Sequence, residues 1–178
     1  MSFAAPATVE DLLNYRLNRL LASSGAMVTR LCEGRYGITR REWRMICLLA
    51  TRGPMSPSEL AEYAHLERAR VSHHVAGLLR KGLVVRLPHE TDRRRARIEL
   101  HPSGHALHAE LFPQSVAFNN QILQSLEAGQ RALLDQLLTQ LTQAAEALCH
   151  SRPVEHKADR RRGGSRRVVT SAAPARLW

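Results

Sequence analysis

Aromatic residues are scarce in this 178-residue chain: Phe, Trp and Tyr together make up 4%. Aliphatic side chains must fill most of any core, and at 44% hydrophobic residues the chain has enough of them. Cysteine is scarcer still. Cys32, Cys47 and Cys149 are an odd number at wide spacing, which offers neither a disulfide framework nor a zinc knuckle and fits a reducing cytoplasm. No apolar run approaches the roughly 20 residues that span a bilayer, so no membrane segment is expected. The opening Met-Ser-Phe-Ala-Ala-Pro lacks the basic and apolar regions of a secretory signal. A Walker loop, a Gly-x-Ser-x-Gly elbow, a dinucleotide fingerprint and a His-Glu-x-x-His helix are all missing, so the chain reads as a non-enzyme without a cofactor.

Acidic residues are also in the minority, 16 against 26 Lys and Arg, for a net charge of +10. A polyanion is the expected partner. The excess is local. Residues 151–178 hold eight basic and two acidic residues, with Gly163-Gly164-Ser165 and almost no apolar periodicity. That segment reads as a disordered basic tail, either a solubility tail or a nonspecific phosphate contact. Residues 67–97 hold nine basic and three acidic residues, more net charge than the whole of 1–150. A near-neutral body with one basic face suits docking better than general adhesion.

Periodicity supplies the elements. Leu13, Leu17, Leu20, Leu21, Ser24, Met27, Val28 and Leu31 predict a helix over 9–33, broken by Gly34 to Gly37. Thr39 and Glu42 form a capping box for a second helix with Trp43, Ile46, Cys47 and Ala50 inward. Ser56-Pro57-Ser58-Glu59 starts a short third helix. A fourth covers 67–81, with Val71, Val75, Leu78 and Leu79 as the buried stripe and Gly82 as a left-handed cap. The period then falls to two over 83–87 and 96–100, a hairpin around a polar loop that should project. A long helix with Leu107, Leu111, Val116, Ile122 and Leu123 runs to about 124, past Pro113. Ser125 caps a last helix whose seam is Leu133, Leu134, Leu137, Leu141, Ala144 and Leu148.

The order is helix, helix, short helix, helix, hairpin, helix, helix: mainly α with a small β-hairpin. A short helix, a tight turn and a longer helix with a polar start is the helix-turn-helix arrangement, whose second helix enters the DNA major groove. The Arg-rich loop of the hairpin is then a wing for the minor groove. Candidate groove contacts are Arg68, Arg70, Ser72, His73 and His74, set against an ordinary solvated helix face. In the wing they are Asp92, Arg93, Arg94 and Arg95, with Arg94 inserting and Asp92 bracing an arginine. Ser56 and Ser58 are candidates for phosphate contact as well as capping.

The run Val71-Ser72-His73-His74-Val75-Ala76-Gly77-Leu78-Leu79-Arg80-Lys81-Gly82-Leu83-Val84-Val85-Arg86, then Asp92-Arg93-Arg94-Arg95-Ala96-Arg97-Ile98-Glu99-Leu100 and Gly104, resembles the MarR-type winged-helix regulators over roughly residues 10–148. The resemblance implies a homodimer built from residues 1–38 and 102–150, winged helix-turn-helix lobes over 39–101, and paired reading of a palindromic duplex. It also implies a small-molecule effector of the aromatic-acid kind, for which Arg16, Ser24, Trp43 and Arg86 are the candidate ligands. Two positions depart from the family pattern. His101-Pro102 replaces the usual Thr before the helix after the wing, and Glu67 stands where a small polar residue is common. Together these readings imply a repressor released by its effector. The alternatives are a nonspecific DNA-architectural protein, or a redox- or metal-responsive regulator using the cysteines or the His101, His105 and His108 row.

Overall fold

The computed structural model describes residues 2–88 and 96–151. It divides into two units, Met1–Ser125 and Leu126–Trp178. The first unit opens with a 3-10 turn, Val9–Asp11, followed by α1, Leu13–Arg35. The helix expected from residue 9 therefore starts later, because the chain is extended at Leu12. Asp11 explains the interruption. Its carboxylate accepts the amides of Ser2, Ala7 and Thr8 and the Thr8 hydroxyl, which folds the amino-terminal arm back and closes the turn. The Ala7, Ser2 and Thr8 amides also hold that carboxyl below its ordinary range.

Then come α2 (Arg40–Arg52), α3 (Pro57–Ala64), α4 (Arg68–Arg80), β1 (Val84–Pro88), β2 (Ala96–Leu100) and α5 (Pro102–Leu123). Both expected capping boxes form. The Thr39 hydroxyl accepts the Glu42 amide at 3.2 Å while the Glu42 carboxylate accepts the Thr39 amide at 2.7 Å. Ser56 and Glu59 repeat the exchange at 3.2 and 2.8 Å, with Pro57 in the first turn. Gly82 follows α4 at φ +65°, the left-handed turn its position predicts. His101, standing where the resembled family has Thr, does the same work for α5: its ring Nδ1 accepts the Ser103 amide at 3.3 Å.

The core lies between α2, α3, α4, the hairpin and the start of α5. Met45, Ile46, Leu60, Val71, Leu78, Ile98 and Leu111 are fully buried. Trp43 is the one buried aromatic among the described residues, in keeping with the aliphatic composition. On α2 the inward set is wider than the expected stripe: Met45 and Leu49 are buried beside Trp43 and Ile46, while Cys47 and Ala50 are half-buried. On α4 Val71, Val75 and Leu78 are buried and Leu79 half-buried.

The two strands pair antiparallel with Val84 opposite Leu100 and Arg86 opposite Ile98. Val84 turns inward and Leu87 stays exposed, because Val84 meets the buried Leu100 and Ile98 side of β2. Met55 adds a bridge to Ile98, with amide-to-carbonyl bonds of 3.0 and 2.7 Å. This fastens the hairpin to the start of α3.

The second unit is described through α6, Ala128–Ser151. Ser125 does not cap it. Its hydroxyl donates to the Ile122 carbonyl at the end of α5, and the Glu127 amide donates to Gln130 Oε1, so the helix begins three residues later than expected. Leu133, Leu134, Leu137, Leu141 and Leu148 are all exposed, and no residue of α6 is buried. Among the described residues no helix is long and apolar enough to cross a membrane. The expected tail lies outside the described residues except for Ser151, which ends α6.

Candidate nucleic-acid interface

Three residues, His65, Leu66 and Glu67, separate α3 from α4. His65 adopts the left-handed conformation, φ 51° and ψ 45°, and its amide bonds back to Glu62, which makes the turn tight. Arg44 holds the turn from the α2 side by donating to the Ala64 carbonyl at 3.0 Å. The result is a helix-turn-helix with α4 as its second helix.

α4 has two faces. Val71, Val75, Gly77 and Leu78 are buried, while Arg68, Arg70, Ser72 and His73 are exposed at its amino-terminal half. His74 is half-buried. Its ring meets His73 edge to face at 5.5 Å, and burial lowers its pKa, with His73, Arg41 and Arg70 adding to the effect and Glu42 opposing it. The neutral imidazole keeps both donor and acceptor character. Gly77 has its own reason: a methyl there would overlap the Glu42 carboxylate, which is buried and ion-paired to Lys81 at 2.7 Å. Burial pushes the Glu42 carboxyl up, but the Lys81 and Thr39 hydrogen bonds outweigh it and leave the group below its ordinary range. α4 is thus bolted to α2 at its far end, leaving its polar start outward.

Ser58 is exposed in the first turn of α3, and the Ser56 hydroxyl is used in capping. Asp92, Arg93, Arg94 and Arg95 lie outside the described residues. The strands that flank them carry Arg86, exposed on β1, and Arg97, which donates to the Pro54 carbonyl.

A groove of about 350 Å³ runs between α1, α2 and α5. Ser24 and Trp43, two of the four candidate effector ligands, line it together with Arg40, Arg44, Phe118 and Asn119. Arg16 and Arg86 do not. The Arg16 guanidinium instead lies 4.2 Å from the centre of the Phe3 ring, and Arg86 is on the hairpin. Sequence reasoning missed Arg40 and Arg44. Their signal was there: they flank Trp43 four residues apart, on one face of α2.

His108 is sandwiched between Trp43 and Phe112, ring centres 5.6 and 5.0 Å away. Its Nε2 is buried without a hydrogen bond, and burial lowers its pKa. His101 is occupied in capping α5. Among the described residues no three His, Cys, Asp or Glu side chains converge as a metal site. Burial pushes the Cys32 thiol up to about 11 and the Cys47 thiol up to about 12, so both stay protonated at neutral pH. That leaves the redox alternative without a thiolate at either position.

A profile of the MarR family matches residues 36–95, beginning just after α1. The HTH-type transcriptional regulator FarR of Neisseria gonorrhoeae is 32% identical over 111 residues, which cover 62% of this chain and 76% of FarR. The chain belongs to the MarR family. It is a DNA-binding transcriptional regulator of that family. The HTH-type transcriptional repressor NicR of Pseudomonas putida is 29% identical over 109 residues, 61% of this chain and 69% of NicR. The fold also matches Bordetella bronchiseptica BpsR, solved in a study of how 6-hydroxynicotinic acid regulates its DNA binding. That match has a TM-score of 0.70 at 20% identity and covers 78% of this chain and 98% of BpsR. At that identity the likeness concerns the winged-helix fold alone. This MarR-family chain carries the second helix of the helix-turn-helix as α4 and the hairpin of the winged helix as β1–β2.

Proposed function

We propose that this MarR-family protein is a homodimeric repressor. Its two α4 helices read a palindromic duplex, its wings enter the flanking minor grooves, and a small aromatic acid releases it. The observation that carries the reading is the two-faced α4. Its apolar side is sealed into the core, and Arg68, Arg70, Ser72 and His73 stand exposed at the end that a major groove admits. Arg68 and Arg70 are the guanine readers, and Ser72, His73 and His74 supply the adaptable contacts. Ser56 and Ser58, at the start of α3, meet the backbone phosphates. Asp92, Arg93, Arg94 and Arg95 form the wing contact, with Arg94 in the groove.

Dimerisation is supported by the leucine stripe of α6 and by Leu17, Leu20 and Leu21 on α1, all exposed in the single chain. The effector reading is supported by the groove beside Trp43. Apolar walls of Val28, Phe118 and Ile122 meet two guanidiniums there, the chemistry that suits an aromatic carboxylate. NicR is named a repressor, and 6-hydroxynicotinic acid acts on BpsR, which agrees with both points.

Selection of bound duplexes from a random library tests the reading. The enriched sequences should contain an inverted repeat whose half-sites are centred about one helical turn apart, or a multiple of it. They should be bound about 10³-fold or more tightly than random duplex. A panel of aromatic acids should weaken that binding. Enrichment of no sequence at all would instead mark a nonspecific architectural protein.

A further inference from the structure

Beside the Trp43 groove lies a second one, of about 370 Å³. Arg40 and Arg44 line both, so the two grooves meet along one face of α2. The second groove is of a different chemistry. Arg41 and His74 join the two shared arginines, and Glu33 is its single carboxylate, which leaves two positive charges uncompensated. Among the described residues no ion pair engages Arg40, Arg41 or Arg44. Arg44 keeps one N–H on the Ala64 carbonyl, and its remaining N–H groups join those of Arg40 and Arg41 around one space. A monocarboxylate needs one guanidinium fork, whereas this set matches a group with several anionic oxygens.

We propose that the groove formed by Arg40, Arg41, Arg44 and His74 is an anion subsite for a phosphate-bearing effector whose apolar part occupies the adjoining Trp43 groove. This rests on the effector reading of the Trp43 groove given above and names the chemistry of the effector's other end.

Two details tie the arrangement to the packing of this chain. First, the Arg40 guanidinium lies across α1 at the buried Gly25, where any Cβ would overlap it. The glycine seats Arg40 between the grooves. Second, His74 belongs to α4. A phosphate in this groove lies against the side of the reading helix that also carries Arg70 and His73, so occupancy bears on α4 directly.

Phenyl phosphate and benzoate, which share a ring and differ in head group, provide the test. At about pH 7.5 the phosphate is a dianion and the carboxylate a monoanion. Calorimetry with the full chain should show phenyl phosphate binding about tenfold or more tightly than benzoate. Arg41→Gln, which alters only the second groove, should reduce that ratio to about threefold or less, with benzoate binding unchanged. Gly25→Ala displaces the Arg40 guanidinium, which both grooves share, and should weaken both probes. Alanine favours the helix there, so the variant folds. Equal affinity for the two probes, or a ratio that Arg41→Gln leaves intact, overturns the proposal while the aromatic-acid reading stands. DNA backbone is the other source of phosphate. If Arg41→Gln weakens operator binding in the absence of any probe, the groove belongs to the DNA interface and the proposal falls. Failure of benzoate itself to bind or to release DNA would count against the effector reading, not this subsite alone.

Discussion

Gly104 shows how one residue carries the architecture. It sits where α5 leaves the hairpin, and a methyl there would overlap the Leu83 carbonyl oxygen, which accepts the His101 amide at 3.1 Å. The nearest obstacle is the Leu83 backbone, with the Leu100 side chain close behind, so a rotamer change alone does not relieve it. Gly104→Ala should cost about 2–3 kcal/mol, as overpacking of a tight contact does, and urea denaturation will measure it. Arg94 tests the wing at the same scale. Arg94→Ala should weaken operator binding by about 1 kcal/mol or more in fluorescence anisotropy, with the oligomeric state unchanged. An unaltered affinity would remove the wing from the reading. Individual residues were read from the sequence with mixed success. Thr39, Ser56, Glu42 and Glu59 were legible because a capping box is a local pattern. Arg40 and Arg44 were not, because their importance depends on α1 and α5 meeting α2, which no local spacing records.

At the scale of elements, α2 is the joint of the winged helix-turn-helix. One of its faces lines the Trp43 groove, and Glu42, on the turn between Arg40 and Arg44, reaches Lys81 just beyond α4. Lys81→Met leaves a buried carboxylate without its cation. The loss should be about 2–3 kcal/mol at neutral pH, less than for a fully enclosed pair because the Lys81 side chain is 37% exposed. The pH dependence has a fixed sign. Glu42's folded pKa is depressed, so its contribution is present above 4.5, the ordinary carboxyl value, and is lost as pH falls through the lowered one. The stability gap between wild type and Lys81→Met should therefore narrow on acidification, and urea midpoints across that range will show it. A gap that widens would mean the pair is not what holds α2 to α4. The elements themselves were legible in order and type, since caps, glycines and apolar spacing agree at α2, α3 and α4. The miss at α1 came from Asp11, whose reach to Ser2 and Ala7 ends a turn that periodicity alone continues. The miss at α6 came from Ser125, which serves the helix before it.

At the scale of the whole molecule, charge and apolar surface divide the labour. Basic residues gather in α4, the hairpin and the tail, while α6 keeps a leucine stripe exposed. The charge is bound to make DNA affinity steeply dependent on salt. Removing residues 152–178 should flatten that dependence and leave the preference for the operator intact, as titrations at several salt concentrations will show. Loss of preference on truncation would mean that the tail reads sequence. The family was legible because three motifs stand in the right order and distance. The proposed pairing of two chains rests on that resemblance, since periodicity marks α6 as amphipathic without saying what covers it.

The most direct measurement is sedimentation of the full chain alone, with a single half-site duplex and with the palindrome. Two chains should sediment together in the absence of DNA, and the pair should hold one palindrome far more tightly than the lone half-site. A single chain in solution, holding both duplexes and random DNA with equal affinity, would contradict the account.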